Sequence, residues 1–171
     1  MRTFSAILSL ALCLSLSSIS TLQAAPLAIG GTAEDWSLTN NKGEVVDYYK
    51  DSEGKVSVIL FWGTWCPYCP SLMPHLEVVY RKYRSKGLKF YAINFKEDGK
   101  IDPIQYFKDR KFSYTQLLDG DEVADSYGVR STPAVYVLDK EKKVVYKRPS
   151  GVGDVLVKQN VELRVKQALA K

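Results

Sequence analysis

The chain has 171 residues, of which 46% are hydrophobic and 25% are charged, and its formal net charge is +5. This composition is typical of a globular protein with one sizeable core, and it excludes collagen-like, coiled-coil and disordered chains. Basic residues are interspersed with acids, as at 140–143, and they do not alternate with aromatic residues as they do in nucleic-acid-binding modules. We therefore expect a solvated surface and no nucleic-acid partner.

The first 25 residues have the parts of a secretory signal. Arg2 supplies positive charge, 6–16 is an apolar run with two serines, and Ala24 and Ala25 are small residues that a signal peptidase accepts. The run is shorter than the roughly 20 apolar residues that a membrane-spanning helix needs. We predict a cleaved signal peptide over 1–25, one domain over 26–171, and a periplasmic or secreted location.

Loss of this leader also changes the cysteine count. The chain has three cysteines, and Cys13 lies in the leader. The remaining chain carries only Cys66 and Cys69, in the sequence Cys-Pro-Tyr-Cys. It also loses Arg2, the leader's only charged residue, so its net charge falls from +5 to +4.

Hydrophobic patterning predicts strands that alternate with helices over the first half of the remaining chain. A strand–helix–strand unit gives a parallel pair with a right-handed crossover, and the closing hairpin adds antiparallel strands. The predicted fold class is therefore α/β, with a mixed sheet covered by helices. The predicted elements are a hairpin with strands at 36–39 and 44–47, a strand at 56–62, a helix at 66–86, a strand at 88–95, a helix at 103–110, an extended segment at 114–118, a short helix at 121–127, a hairpin with strands at 134–138 and 143–147, and a helix from 154.

Local signals set the limits of these elements. The run at 56–62 is apolar on both faces, which is typical of a central strand. Gly87 ends the helix that follows, and Pro103 opens the next one after an Asp102 cap. We expect Asp121 and Asp154 to cap the last two helices in the same way.

The cysteine pair lies where the buried strand gives way to the helix. Disulfide exchange needs a thiolate, and a helix N-terminus stabilises negative charge on sulfur. We predict that Cys66 is the exposed attacking thiol and that Cys69, about one turn inward, resolves the mixed disulfide. Pro67 suits the first helical position, whereas Pro74 removes a helical hydrogen bond and should kink the helix.

Other uses of such a pair fit the sequence less well. A structural zinc site usually needs four ligands, and this chain adds only one histidine, His75, to the pair. A copper site would need a histidine downstream, which the sequence lacks. A purely structural disulfide that closes so short a loop would add little stability. We predict no metal and no organic cofactor, and we expect His75 at the surface.

The segment FWGTWCPYCPSLMP, followed by YGVRSTPAVYVLD, resembles the thioredoxin superfamily, and within it the secreted TlpA/ResA-like thiol-disulfide oxidoreductases. The resemblance covers all of 26–171. It implies a thioredoxin fold with an added N-terminal β-hairpin and a central insertion around 97–114.

The resemblance also implies roles for individual residues. Cys66 and Cys69 match the redox pair, which forms a disulfide, and Pro74 matches the proline that kinks the active-site helix. Thr132 and Pro133 match the loop whose cis-proline faces the disulfide and holds a substrate strand. The implied docking surface consists of Trp65, Pro67, Tyr68, Thr132 and Pro133.

Two positions depart from the family pattern. Leu60 stands where thioredoxins carry a buried acid, and Leu72 stands where ResA-like proteins carry a glutamate. Three explanations for this missing acid are open. Water or a carboxylate such as Glu77 or Glu97 takes the proton of the second cysteine, the protein works mainly as an oxidant, or it exchanges disulfides slowly. The direction of electron flow stays open at this point.

The sequence thus predicts an extracytoplasmic thiol-disulfide oxidoreductase. Its implied partners are proteins with cysteine pairs, apocytochrome c among them, and a membrane electron donor or acceptor, and we expect a monomer. One alternative is a thiol peroxidase that uses Cys66, although 61–66 does not fit the Pro-x-x-x-Thr-x-x-Cys loop of peroxiredoxins. The other is a non-catalytic peptide-binding module with a structural disulfide.

Overall fold

The structure is a computed structural model that describes residues 26–171, so the predicted signal peptide lies outside the described residues. Its elements follow the predicted order except for a short helix at Tyr48–Asp51, which was not predicted, and a 3₁₀ turn at Arg84–Lys86 extends the second helix. The strands are β1 Ser37–Thr39, β2 Val45–Asp47, β3 Ser57–Trp62, β4 Lys89–Asn94, β5 Thr115–Leu117, β6 Ala134–Leu138 and β7 Val144–Lys147. The helices are α1 Tyr48–Asp51, α2 Cys69–Tyr83, α3 Pro103–Asp109, α4 Asp121–Ser126 and α5 Asp154–Leu169.

Five strands form the central sheet in the order β5-β4-β3-β6-β7. Strand β3 is parallel to β4 and antiparallel to β6, so the sheet is mixed, as predicted. Strands β1 and β2 form a separate antiparallel pair, which is the predicted N-terminal hairpin. Helix α3 occupies the predicted central insertion between β4 and β5.

Alternate residues of the central strands face two different cores. From β3, Leu60 and Trp62 enter a core covered by α2, α3 and α5, whereas Ile59 and Phe61 enter a second core. All six residues of β3 are buried, which confirms a strand covered on both faces. The catalytic candidates therefore follow the most enclosed strand of the fold.

The N-terminal segment crosses the second core and contacts both outer strands of the sheet. At one side, Gly30 donates a hydrogen bond to the Val144 carbonyl at 2.8 Å, and Val144 donates to the Gly31 carbonyl at 2.9 Å. At the other side, Leu118 donates to the Thr39 carbonyl at 2.9 Å. We call residues 26–40 the N-terminal strap.

Helix starts are where the structure differs from the sequence-based expectations. Helix α2 begins at Cys69, not Cys66, and Pro70 takes the early helical position expected for Pro67. Asp102 caps α3 as predicted, through a 2.8 Å bond from the Ile104 amide. Asp121 and Asp154 instead lie inside the first turns of α4 and α5, since Gly120 and Gly153 hold the cap positions.

None of the helices within 26–171 is both long enough and apolar enough to cross a membrane.

Candidate active site

The two cysteines form a disulfide just beyond the end of β3, with their Cα atoms 5.5 Å apart. Two successive turns connect the strand to α2. The Cys66 amide donates to the Gly63 carbonyl at 3.1 Å, and the Cys69 amide donates to the Cys66 carbonyl at 3.3 Å. Cys69 therefore opens the helix, and Cys66 lies in the turn before it.

The expectation that Cys66 is exposed is wrong for this disulfide state. Its exposed fraction is 1%, and Cys69 is fully buried. The disulfide joins Cys66 to a partner that packs with Leu72 and Met73 in the core, so its side chain turns inward with Cys69. Any group that reaches the Cys66 sulfur in this state therefore has to pass the side chains that surround it.

Trp65 is held in place by the backbone on both sides of it. Its indole Nε1 donates to the Phe95 carbonyl at 3.3 Å, and its ring meets the Phe95 ring edge-on at 5.9 Å. The indole also lies over Gly63, where an added Cβ would stand 2.6 Å from Trp65 Cε2. Since 41% of the residue stays exposed, the indole presents an apolar face beside the disulfide.

Between the cysteines, Pro67 and Tyr68 are both exposed. Tyr68 is 68% exposed, which is unusual for a large aromatic side chain, and its carbonyl accepts a 3.0 Å bond from the Ser71 hydroxyl. The turn is thereby fixed while the phenol ring remains available for contact.

Across from this turn, the peptide bond between Thr132 and Pro133 is cis. Thr132 and Tyr68 line one cavity of about 550 Å³, so the structure brings the two predicted parts of the docking surface together. Pro133 is buried and lies in an adjoining cavity of about 280 Å³.

Sequence reasoning missed Arg148, which lies in the same place. Its Nη1 donates to the Pro133 carbonyl at 3.2 Å, and its Nη2 donates to the Val152 carbonyl at 3.1 Å. Arg148 thus ties the cis-proline loop to the segment before α5. It carries no motif, so only the pairing of β6 with β7 could have indicated it.

The two carboxylates considered as proton acceptors have different surroundings. Glu77 is engaged away from the disulfide, since it pairs with Arg81 at 2.6 Å and accepts bonds from the Ser113 amide and hydroxyl at 3.0 and 2.6 Å. Glu97 lies next to the site. It accepts from the Thr64 amide at 2.7 Å, from the Thr64 hydroxyl, and from Asn94 Nδ2 at 2.5 Å.

The surroundings of Cys69 are apolar. Leu60 and Leu72 are fully buried in its core, as is Trp62, whose indole N–H has no hydrogen-bond partner in the described structure. The Tyr106 ring lies against Trp62 at 5.3 Å between ring centres with a tilt of 32°, and burial raises the pKa of its phenol although Arg110 works to lower it. These groups keep the inner sulfur away from water. No cluster of three or more histidine, cysteine or acidic side chains that could hold a metal occurs in 26–171.

Comparison with known proteins gives the family. Residues 29–147 match the AhpC/TSA family. The thiol-disulfide oxidoreductase ResA of Halalkalibacterium halodurans is 32% identical over 136 residues, which cover 78% of this chain and 76% of that protein. ResA of Bacillus thuringiensis subsp. konkukian is 32% identical over 120 residues, covering 70% of this chain and 68% of that protein.

Solved structures agree with this relationship. A putative thiol:disulfide interchange protein DsbE from Chlorobium tepidum matches with a TM-score of 0.71 at 26% identity, covering 84% of this chain and 99% of that one. A thioredoxin fold with a Cys-x-x-Cys disulfide after its central strand, together with these relatives, confirms the predicted family and enzyme class. The chain belongs to the AhpC/TSA family of the thioredoxin superfamily and is an oxidoreductase of the ResA type.

Proposed function

We propose that this chain is an exported thiol-disulfide oxidoreductase in which Cys66 exchanges with client cysteines and Cys69 resolves the mixed disulfide. The observation that supports this most is the shared cavity. Tyr68, which lies between the cysteines, and Thr132 of the cis-proline loop both line it. A client strand held there would have its sulfur beside the redox pair.

The exchange needs no further reactant. In the reducing direction, the Cys66 thiolate attacks a client disulfide, forms a mixed disulfide and releases one client thiolate. The Cys69 thiolate then attacks Cys66 Sγ, which restores the Cys66–Cys69 disulfide and releases the second client thiolate. Two electrons pass to the client, and two protons from the enzyme's thiols balance the two client thiols.

The proposal extends to location and clients. The leader pattern at 1–25 supports export, and disulfides such as Cys66–Cys69 persist in the oxidising compartments outside the cytoplasm. Apocytochrome c is a proposed client because its haem attachment motif is itself a Cys-x-x-Cys pair, and a membrane protein would supply or remove the electrons. We propose that Pro67 and Trp65 form the rim of the docking surface.

The equilibrium potential of the Cys66–Cys69 couple decides the direction. A value near −270 mV, as in thioredoxin, makes the protein a reductant, whereas a value near −120 mV, as in DsbA, makes it an oxidant. Equilibration with glutathione buffers measures it directly.

Cysteine variants test the roles. Reduced wild-type protein should reduce insulin, and Cys66→Ser should abolish the reaction. Cys69→Ser should instead accumulate mixed disulfides with clients, because nothing resolves them. A wild-type protein that reduces no disulfide, or full activity in Cys66→Ser, would show the proposal to be wrong.

The same variants separate the alternatives. A thiol peroxidase would consume hydrogen peroxide much faster than it reduces insulin. A peptide-binding module would retain client binding in a Cys66→Ser/Cys69→Ser double variant and would form no mixed disulfide in Cys69→Ser.

A further inference from the structure

Arg148 lies where two cavities next to the redox pair meet. The larger, of about 550 Å³, contains Tyr68 and Thr132, and the smaller, of about 280 Å³, contains Pro133. Arg148, Ser131 and Ser150 line both. The two cavities therefore adjoin at Arg148, with Thr132 lining the larger one and Pro133 lining the smaller one. We call this pair of adjoining cavities the client groove.

The backbone fixes where Arg148 stands. Its amide donates to the Val135 carbonyl at 2.8 Å, which continues the pairing of β7 with β6 by one residue. The guanidinium then bonds the Pro133 and Val152 carbonyls at 3.2 and 3.1 Å. Since Pro133 and Val135 line the smaller cavity and Val152 lines the larger one, the cation is held from both sides before any client arrives.

The charge of this guanidinium has no counterion. Within residues 26–171 no carboxylate lies within 4.0 Å of Arg148, and its buried Nε has no hydrogen-bond partner. The two contacts of the side chain are to neutral carbonyls, which leave the positive charge uncompensated. A guanidinium carries five N–H donors in a planar fork that matches a carboxylate.

One acidic side chain, Asp154, also lines the client groove and limits where a carboxylate of a bound segment can lie. Asp154 lies in the first turn of α5, where the helix dipole favours its negative charge. It forms no ion pair with Arg148. A second carboxylate would be repelled near Asp154 and attracted near Arg148, so an acidic client residue is confined to one register.

We propose that Arg148 makes the client groove selective for segments that carry an aspartate or glutamate side chain at a fixed distance from the reacting cysteine. This inference rests on the proposed function and adds the substrate class. Charge complementarity favours it: Arg148 is a fixed cation without a counterion beside the cis-proline loop, and Arg130 and Lys147 add positive charge in the smaller cavity. Among the side chains of a client protein, a carboxylate is the group that such a cation binds.

The test uses pairs of short peptides with blocked termini, so that only a side chain supplies the carboxylate. Each peptide carries one cysteine in mixed disulfide with nitrothiobenzoate and either Glu or Gln at one position within four residues of that cysteine. Pre-reduced protein is mixed with excess peptide, and absorbance gives the limiting rate and the half-saturating concentration. In one register, or in two adjacent ones, we expect Glu to lower the half-saturating concentration about fivefold relative to Gln, with similar limiting rates.

Three variants test whether Arg148 causes the preference for Glu over Gln. Arg148→Gln should bring the Glu-to-Gln ratio to about one, whereas Arg148→Lys should keep a preference for Glu because it keeps the charge. Arg164→Gln is the matched control, since it removes one exposed arginine from α5, ten residues beyond Asp154, and should retain the full preference. The preference in wild type should also weaken with added salt.

Equal half-saturating concentrations for every Glu and Gln pair in wild type would overturn the inference, and this measurement needs no variant to fold. A similar loss for Glu and Gln peptides in Arg148→Gln would also overturn it, because Arg148 would then only hold the loop. In both cases the proposed function stands. If wild type releases nitrothiobenzoate from none of the peptides, the proposed function itself fails.

Discussion

Individual residues around the disulfide are fixed by small steric and polar features. Trp65 covers Gly63 so closely that any side chain at Gly63 would displace its indole. Glu97 gathers three hydrogen bonds from Thr64 and Asn94 and thereby fixes the turn that leads to Cys66. These contacts thus fix the segment of backbone that leads into Cys66.

Gly63→Ala should move the indole of Trp65. The new Cβ would lie 2.6 Å from Cε2, so the indole must leave Gly63 and the Phe95 carbonyl. We expect a loss of about 1 kcal/mol in the free energy of unfolding and weaker peptide binding, measured by urea titration and by half-saturating peptide concentration. Trp65→Phe, which removes only the N–H bond, should weaken binding less. Unchanged peptide binding in Gly63→Ala would contradict this account of the indole.

Glu97→Gln should loosen the turn before Cys66. The amide keeps one acceptor oxygen but turns an N–H₂ group toward donors, so about 1–2 kcal/mol of stability should be lost. We expect slower insulin reduction with a pH profile of unchanged shape, because Glu97 acts through the turn. Thr64→Val, which removes one hydroxyl donor, should have a smaller effect of the same kind. A profile that loses a titrating limb in Glu97→Gln would instead make Glu97 the proton acceptor for Cys69.

At the scale of elements, strands were the most predictable part. The apolar runs at 56–62 and in β6 reflect burial on both faces, and the burial of alternate residues in β7 reflects a strand covered on one face. Helix starts were less predictable: at Asp121 and Asp154, a glycine one residue earlier takes the cap position.

The features of the candidate site also differ in how well the sequence predicts them. The cysteine pair is a local motif, and the cis Thr132–Pro133 bond was expected only from the family resemblance. The burial of Cys66 and the bond from Arg148 to Pro133 depend on contacts between distant parts of the chain. No local pattern encodes such contacts.

Helix α1 is joined to β4 by a carboxylate whose removal should have a pH-dependent effect. Asp51 accepts bonds from Lys89 at 2.8 Å and from the Tyr91 phenol at 2.5 Å. Burial works to raise the pKa of Asp51, but these two hydrogen bonds together with the positive charges of Lys89 and Lys55 outweigh it, and the pKa is lowered. A lowered pKa in the folded state adds stability above the ordinary carboxyl pKa of 3.8, and this stability is lost as the pH falls through the folded value.

Asp51→Asn should therefore destabilise the protein at pH 7 by about 0.5–1 kcal/mol, since the pair is partly exposed. The difference from wild type should shrink below pH 3.8. Urea unfolding at pH 7 and pH 3 measures it, with the exposed Asp125→Asn as the control. A difference that stays constant between these pH values would mean that the charge of Asp51 contributes nothing.

At the scale of the whole molecule, the N-terminal strap determines how much of the two edges of the central sheet is left unpaired. A sheet edge exposes unpaired N–H and C=O groups on which another chain can add a strand. In this fold Gly30 and Gly31 pair with Val144 of β7, and Thr39 pairs with Leu118 next to β5, so one segment covers part of both edges. This coverage supports the expectation of a monomer.

Removing residues 26–33 should uncover the β7 edge. We expect the shortened chain to self-associate at concentrations where 26–171 elutes as a monomer, as measured by size-exclusion chromatography with light scattering. Removal of 170–171, which follow the last helix, is the control and should leave the elution unchanged. A monomeric chain lacking 26–33 would show that the strap does not protect the edge.

The strap also constrains the order in which parts of the chain can fold. It is made early in synthesis, yet the hydrogen bonds that seat it on the central sheet join it to Leu118 and Val144, so these contacts close loops of many residues. A nascent chain that ends before 142 can form the parallel strands and the cysteine turn but cannot seat the strap against β7. The C-terminal part of the chain therefore has two roles in folding. It adds the final strands to the sheet, and it supplies the strand to which the N-terminal strap binds.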